Sequence, residues 1–123
     1  MRVATIILFV KDMARMRAFY EGALGLRVVE ESDGWLALDG GGCRLALHAI
    51  PEAIARGIVV EEPPRAREDT AIKVAFHAAD VAAERERLAG AGAQMGPVKT
   101  WGAVSLCDGV DPEGNVFQLA SRA

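Results

Sequence analysis

Four polar side chains lie within otherwise apolar segments of this 123-residue sequence. They are His48, Lys73, His77 and Gln118. A lysine in a strand is costly to bury unless it reaches water, pairs with an acid or meets an anionic ligand. A histidine titrates near neutral pH and suits general-base or metal-binding roles. The sequence therefore offers anion binding or amine chemistry at Lys73, acid–base chemistry at the histidines, and hydrogen bonding at Gln118.

Each of these residues also has a purely structural interpretation. His48 and His77 fit partly solvated strand ends, and no carboxylate lies beside either to complete a metal site. The stem of Lys73 can run along an apolar surface and deliver its ammonium group to water. We therefore place these side chains in a binding site without assigning a catalytic role to any of them.

Three aromatic side chains are candidates for the walls of the same site. Trp35 and Trp101 are the only tryptophans, and Trp101 is followed by a glycine just before a predicted strand. Tryptophans in a core need only one partner for the indole N–H, whereas tryptophans on a pocket wall stack against flat ligands. We include both tryptophans, with Phe9, as lining residues.

An acidic run near the C-terminus does not match a metal-binding loop. Asp108, Asp111 and Glu113 lack the alternate spacing and distal glutamate of a calcium loop. Pro112 and Gly114 lie among them and favour a tight turn, and aspartate at a turn bonds its own backbone. We assign the whole run to turn chemistry.

Composition limits the kind of protein this is. The formal net charge is −3 and the pI is near 5.4, which argues against a dedicated nucleic-acid binder. No apolar run approaches the ~18 residues expected of a membrane-spanning helix. Cys43 and Cys107 are far apart in the sequence, which favours free thiols in a reducing cytoplasm, with Cys107 as a buried strand thiol.

The first half of the chain predicts strands around one helix. Residues 3–10, VATIILFV, are rich in β-branched residues and favour a strand. Asp12 is a suitable N-cap for a helix over 13–23, where Met13, Met16 and Tyr20 recur at helical spacing. The segments LRVVEE, WLALD and CRLALHA predict three more strands by about residue 50.

The second half repeats this order after a proline-rich connector. Adding 68 to the residue numbers of the first strand and helix places Thr5 on Lys73 and Phe9 on His77. Near the ends of the halves a shift of 72 places Ala46 on Gln118. A repeat of this kind indicates fold architecture. We predict an α+β fold of two βαβββ modules, residues 1–50 and 70–122, joined by a connector over 51–69.

Two motifs identify a family resemblance. VKDMARMRAFYEGALGLRV resembles the opening strand and helix of the vicinal oxygen chelate superfamily, which includes glyoxalase I, bleomycin-resistance proteins and extradiol dioxygenases. WGAVSLCDGVDPEGNVFQL resembles its closing stretch. The resemblance implies paired βαβββ modules whose curved mixed sheets surround a cleft, and chains of this size in the superfamily are usually homodimers.

The resemblance also implies which positions would hold a metal. Metal-using members take two ligands from each half, and the matching positions here are Thr5, Ala46, Lys73 and Gln118. Threonine and glutamine are weak neutral donors, alanine has none, and an ammonium group repels a cation. We therefore predict no metal or other cofactor, and disfavour a divalent ion.

These observations lead to one functional prediction and two alternatives. We predict a cytoplasmic homodimer of the glyoxalase/bleomycin-resistance type that binds a small hydrophobic or aromatic molecule, with an anionic group as one option, and that binds neither nucleic acid nor membrane. The alternatives are a metal-dependent lyase, isomerase or dioxygenase, and a metal-free enzyme with Lys73 or His77 as acid–base group. Whether a reaction is catalysed stays open. The predicted ligand-binding residues are Thr5, Phe9, Trp35, Ala46, His48, Lys73, His77, Trp101 and Gln118.

Overall fold

A computed structural model describes residues 1–122 of the chain. It divides into two compact units, Met1–Val59 and Val60–Ala123, called unit 1 and unit 2 below. Each unit carries its own mixed sheet, with one edge strand parallel to its neighbour. Helices are few and short. The predicted α+β class with two mixed sheets is therefore confirmed.

Unit 1 is a four-stranded sheet with a helix between its first two strands. The sheet order is β1-β4-β3-β2, with β1 parallel to β4 and the other pairs antiparallel. The helix begins as an α-helix and continues as a π-helical segment, Ala18–Ala23. The remaining elements are β1 (Thr5–Val10), α1 (Met13–Arg17), β2 (Val28–Ser32), β3 (Trp35–Asp39), β4 (Arg44–Ala49) and α2 (Glu52–Ala55).

Unit 2 repeats this plan with one strand divided. The sheet order is β5-β9-β8-β6, with β7 also paired to β8, and β5 is parallel to β9. Pro97 lies between β6 and β7 and has no N–H to give to the ladder, so the strand expected here forms as two short pieces. The elements are β5 (Val74–His77), α3 (Val81–Gly90), β6 (Gln94–Met95), β7 (Lys99–Trp101), β8 (Val104–Val110) and β9 (Val116–Ala120).

The helices α1 and α3 each begin directly after an aspartate, at Asp12 as the sequence predicts and at the equivalent Asp80 of the repeat. The carboxylate of Asp12 accepts the N–H of Arg15 at 3.1 Å, and that of Asp80 accepts the N–H of Ala83 at 2.9 Å. Each bond satisfies one of the N–H groups that a helix leaves unpaired in its first turn. The aspartates thus fix the point at which the chain turns from strand to helix in each unit.

Each sheet has one face buried against its helix. In unit 1, α1 contacts β4, and the leucines at 36, 38, 45 and 47 are buried. In unit 2, α3 contacts β8 and β9, where Cys107, Phe117 and Leu119 are buried. Because side chains alternate along a strand, the residues between these positions belong to the opposite face. That opposite face carries most of the predicted site residues.

The strand registers agree with the internal repeat. Ile7 pairs with Ala46 across β1 and β4, and Ala75 pairs with Gln118 across β5 and β9. The shift of 68 converts Ile7 into Ala75, and the shift of 72 converts Ala46 into Gln118. Lys73, which the sequence placed in a strand, immediately precedes β5, because that strand begins at Val74.

Within residues 1–122, no helix is long and apolar enough to cross a membrane.

Candidate functional site

Three aromatic rings lie side by side on the face of the unit 1 sheet that points away from the helix. Phe9, His48 and Trp35 occupy facing positions on β1, β4 and β3. The ring centroids of Phe9 and His48 are 5.5 Å apart, as are those of His48 and Trp35. We call these three residues the aromatic ladder. It places three of the predicted lining residues in direct contact.

The indole of the ladder is held by an acid that the sequence analysis did not single out. Trp35 Nε1 donates to Glu30 Oε1 on the neighbouring β2 at 2.6 Å, and Glu30 Oε2 lies 3.5 Å from Arg44 Nη1. This bond fixes the orientation of the indole, and Trp35 itself is half-buried. Phe9 is 62% exposed and His48 is also exposed, so the ladder is open to a ligand.

The other two predicted site residues of unit 1, Ala46 and Thr5, are not part of the aromatic ladder. Ala46 pairs with Ile7 on the same face as the ladder but is fully buried, so it presents no surface to a ligand. Thr5 lies at the start of β1 and lines a separate cavity of about 520 Å³ that also includes Cys43 and Arg44. Thr5 pairs with Arg44 and not with Ala46.

Unit 2 carries a cluster of three polar side chains on the corresponding face of its sheet. Lys73 Nζ lies 3.0 Å from Asp108 Oδ2, and Gln118 Nε2 donates to Asp108 Oδ1 at 3.1 Å. Asp108 and Gln118 are directly opposite each other on β8 and β9. We call Lys73, Asp108 and Gln118 the polar cluster. It joins two predicted site residues through a third that was not predicted.

The hydrogen bond to Asp108 also orients the amide of Gln118. An ionised carboxylate only accepts hydrogen bonds, so the NH₂ end of the amide must face Asp108 and the carbonyl end must face away. In the part of the chain that the structure describes, no group donates to Gln118 Oε1. The small side chain of Ala75 lies opposite Gln118 on β5, leaving space on that side. Gln118 therefore presents an acceptor to any ligand on this face.

The assignment of the acidic run to turn chemistry is right for Asp111 and wrong for Asp108. Asp111 is buried, and its Oδ1 accepts the N–H groups of Glu113 and Asn115, both at 2.9 Å. Asp108 lies before the turn, within β8. The turn sets the register of the β8–β9 hairpin. Because Val110 pairs with Val116, Asp108 lies opposite Gln118.

The last two candidates of unit 2 stand apart from the polar cluster. His77 ends β5, opposite Ala120, and makes no hydrogen bond or ion pair within residues 1–122. Trp101 ends β7 opposite Val104 and is 81% exposed. Parity places His77 on the face of Ala75, but within residues 1–122 neither His77 nor Trp101 forms a hydrogen bond or ion pair with the cluster.

A cavity of about 440 Å³ adjoins the polar cluster. Lys73 and Val116 line it from the sheet side, and Val116 shares the face of Gln118 because it lies two residues earlier on β9. The other walls come from the end of the connector and from the residues just before Lys73, none of which was among the predicted site residues: Ala66, Arg67, Glu68, Thr70, Ala71 and Ile72.

The four positions equated with metal ligands do not fit a divalent ion. Thr5 offers a neutral hydroxyl and Ala46 offers no donor. The ammonium of Lys73 is paired with Asp108, and the amide NH₂ of Gln118 is bound to the same carboxylate. Divalent ions are held by carboxylate, imidazole or thiolate donors. Among residues 1–122, no group of three or more His, Cys, Asp or Glu side chains is arranged to hold a metal.

Comparison with known proteins places this geometry in context. A family model described as a glyoxalase-like domain matches residues 5–120. No curated protein matches the chain.

Solved structures share the fold at low identity. A glyoxalase/bleomycin resistance protein/dioxygenase family enzyme from Burkholderia phytofirmans is 22% identical, with a TM-score of 0.73 and 95% of each chain covered. Lactoylglutathione lyase from Agrobacterium tumefaciens is 20% identical, with a TM-score of 0.70, covering 97% of this chain and 92% of that one. A fosfomycin resistance protein from Listeria monocytogenes, bound to Mn(II) and a dihydroxypropylphosphonic acid, is 18% identical, with a TM-score of 0.74, covering 99% and 90%. At these identities the likeness shows the fold alone.

Proposed function

Because the chain belongs to the glyoxalase-like domain family, we propose that it is a metal-independent binding protein of the bleomycin-resistance type, which holds a small hydrophobic or aromatic molecule on its exposed sheet faces. The observation that carries this proposal is the aromatic ladder. Three adjacent rings are aligned on three neighbouring strands, with Phe9 and His48 exposed to solvent and Trp35 half-buried. A flat apolar molecule is the ligand that suits such a surface.

The ladder is organised for stacking. Its central ring, His48, has Phe9 on one side and Trp35 on the other, with interplanar angles of 32° and 74°. Aromatic pairs in offset or edge-to-face contact gain roughly 0.5–1.5 kcal/mol beyond the burial of their area. The bond from Trp35 Nε1 to Glu30 holds the indole in one orientation, which lowers the entropy lost when a ligand stacks.

The binding experiment uses one tryptophan as the reporter. A Trp101→Phe variant leaves Trp35 as the sole tryptophan, and 4-nitrobenzyl alcohol serves as a neutral aromatic probe that quenches indole fluorescence on stacking. We expect saturable static quenching, and we expect Phe9→Ala to weaken it roughly five- to tenfold, which corresponds to about one aromatic contact. Linear, purely collisional quenching would contradict the proposal.

A matched variant controls for the loss of an exposed apolar side chain. Ile54 on α2 is 61% exposed, similar to Phe9, but lies outside the ladder. Ile54→Ala should leave the quenching curve unchanged. Equal effects of Phe9→Ala and Ile54→Ala would show that the ladder has no special role.

Metal independence is supported by the donor chemistry of the four ligand-equivalent positions. Metal analysis of the purified, dialysed protein should find no stoichiometric Zn, Ni, Mn or Fe, and EDTA should leave probe binding unchanged. Stoichiometric metal that disappears on substitution of Thr5, Lys73 or Gln118 would reject this part of the proposal.

We further propose that the protein is a cytoplasmic homodimer that binds neither nucleic acid nor membrane. Support for the dimer comes from the exposed apolar side chains Val3 and Ile7 at or near β1, an edge strand of its sheet. Both cysteines are free, as a reducing compartment requires. The net charge of −3 disfavours a polyanionic partner. Light scattering after size exclusion should give twice the 13.1 kDa chain mass, and a monomer at micromolar concentration would contradict the dimer.

A further inference from the structure

The polar cluster of unit 2 has no net charge, and this feature determines what it can bind. We propose that Asp108 sets the specificity of this face, so that the cluster and the adjacent 440 Å³ cavity take a neutral molecule carrying a primary amide or a hydroxyl group and reject carboxylates and phosphates. This inference rests on the proposed function, because it names the ligand class of a face already proposed to bind small molecules.

The charge argument begins at Lys73. Considered alone, this lysine favours an anionic ligand. In the structure its ammonium lies 3.0 Å from Asp108 Oδ2, so an anion that approached Lys73 would also approach a carboxylate. Because the Coulomb energy falls only with the inverse of the distance, repulsion by Asp108 offsets a large part of the attraction by Lys73. A neutral ligand meets no such repulsion.

The polar cluster contains both hydrogen-bond donors and hydrogen-bond acceptors. Each carboxylate oxygen of Asp108 accepts one bond within the cluster and has a second lone pair available. Gln118 Oε1 is an acceptor, and Lys73 carries ammonium protons beyond the one directed at Asp108. A primary amide or a hydroxyl both donates and accepts, so it matches this set, whereas a carboxylate or phosphate only accepts.

The cavity supplies space for the rest of such a molecule. Its volume is within the range of roughly 300–1,000 Å³ typical of small-molecule sites. Ala66, Ala71, Ile72 and Val116 give it apolar walls, and Lys73 belongs to both the cavity and the cluster. The two charged connector residues on its lining, Arg67 and Glu68, are of opposite sign and add no net charge. An apolar body with one neutral polar end therefore suits the site.

The test compares two probes of nearly the same shape. Benzamide is neutral and benzoate is an anion, and both are titrated into the ¹⁵N-labelled protein while the Gln118 side-chain NH₂ and the backbone amides of residues 73 and 108 are followed by NMR. For the wild type we expect benzamide to shift these signals with a Kd at least about tenfold lower than that of benzoate.

The reciprocal variant is Asp108→Asn. Asparagine keeps the shape and an acceptor for Gln118 Nε2 but leaves the charge of Lys73 unopposed, so we expect benzoate to bind about tenfold more tightly than to the wild type. Adding Lys73→Met should remove that gain. Asp33→Asn is the matched control, since it removes the same charge from an exposed turn in unit 1 and should change neither probe.

The inference is overturned if the wild type binds benzoate as tightly as benzamide, or if Asp108→Asn leaves the preference unchanged. It is also overturned if neither probe shifts the Gln118 side chain in either protein. Fluorescence quenching at Trp35 tests the proposed function separately, so quenching at the ladder with no response at Gln118 rejects this inference alone. The HSQC spectrum of each variant confirms that it is folded.

Discussion

Asp108 and Gln118 face each other across the β8–β9 pair, and the carboxylate accepts the amide NH₂ at 3.1 Å while its other oxygen holds Lys73 at 3.0 Å. One carboxylate thus organises the whole polar face of unit 2. The side chains of Lys73 and Asp108 are 42% and 49% exposed, and solvent-exposed ion pairs contribute little to stability. Folding alone therefore gives little reason for this arrangement.

The first prediction concerns the stability contribution of this pair. Lys73→Met should change the free energy of unfolding by less than about 1 kcal/mol, because water screens the pair and replaces its interactions when the lysine is removed. Urea denaturation monitored by circular dichroism measures the change. Lys99→Met is the control, since Lys99 is exposed on β7 and has no ion pair among residues 1–122. A loss above about 2 kcal/mol for Lys73→Met alone would give the pair a structural role.

The second prediction concerns the turn carboxylate, Asp111. This side chain is buried, and its oxygens accept from the N–H of Glu113, the N–H of Asn115 and the side-chain NH₂ of Asn115. Asp111→Ala leaves buried donors without an acceptor and should lower the free energy of unfolding by about 3 kcal/mol. Asp108→Ala, measured in the same urea experiment, should cost less than about 1 kcal/mol. Similar losses for both would mean that Asp108 is also structural.

The third prediction concerns the packing of β8 against Phe117. A Cβ added at Gly109 would lie 2.5 Å from Phe117 Cζ and 2.7 Å from Met95 Sδ. Gly109→Ala should therefore destabilise the protein by roughly 1–3 kcal/mol through overpacking. Gly90→Ala is the control within the same unit, because a Cβ there meets nothing within 4 Å and alanine favours helix, so it should be neutral or stabilising by up to about 1 kcal/mol. Thermal unfolding should show a lower melting temperature for Gly109→Ala. The melting temperature of Gly90→Ala should be unchanged or higher.

The fourth prediction concerns thiol reactivity. Burial raises the pKa of Cys107, whose Sγ lies 3.3 Å from the carbonyl oxygen of Gly96. At pH 8 iodoacetamide should modify the half-buried Cys43 and leave Cys107 unmodified until urea unfolds the protein, which mass spectrometry of tryptic peptides measures.

The raised pKa of Cys107 also gives a pH dependence of stability. Above about pH 8.5 the thiol ionises in the unfolded chain but stays protonated in the folded one. The folded state then binds more protons than the unfolded state, so the free energy of unfolding decreases as the pH rises through this window. In a Cys107→Ala variant this part of the decrease should be absent. An unchanged slope would show that other groups dominate the alkaline pH dependence.

Much of the fold was predictable because it depends on local patterns. Asp12 and Asp80 mark the helix starts through their own side chains, and the repeated order of strands and helix agrees with the parallel pair that each unit contains. The division of one strand at Pro97 was harder to predict from the sequence. The proline removes one ladder hydrogen bond, but it does not determine the residue at which strand pairing resumes. The π-helical widening at Ala18–Ala23 has no signature in residue spacing that distinguishes it from an α-helix.

The candidate site was predicted only in part, because its contacts cross between strands. The sequence named Phe9, Trp35 and His48 as members of one candidate site, and the structure adds that their rings lie side by side. Asp108 was missed because its neighbours in the sequence suggested a turn, whereas its partners are Gln118, ten residues later, and Lys73, thirty-five residues earlier. Only the register of the hairpin brings these three side chains together.

The hairpin therefore constrains how this chain can change over evolution. Asp111 ties the turn to the N–H groups of Glu113 and Asn115, and Gly114 has no room for a side chain against the carbonyl of Arg65. Inserting or deleting one residue in this turn would move every following side chain of β9 to the opposite face of the sheet. Gln118 would then point toward the helix and Phe117 toward solvent. Single-residue length changes here should be rejected by selection even though the turn touches no proposed ligand, whereas substitutions at Gln118 itself can alter specificity without loss of the fold.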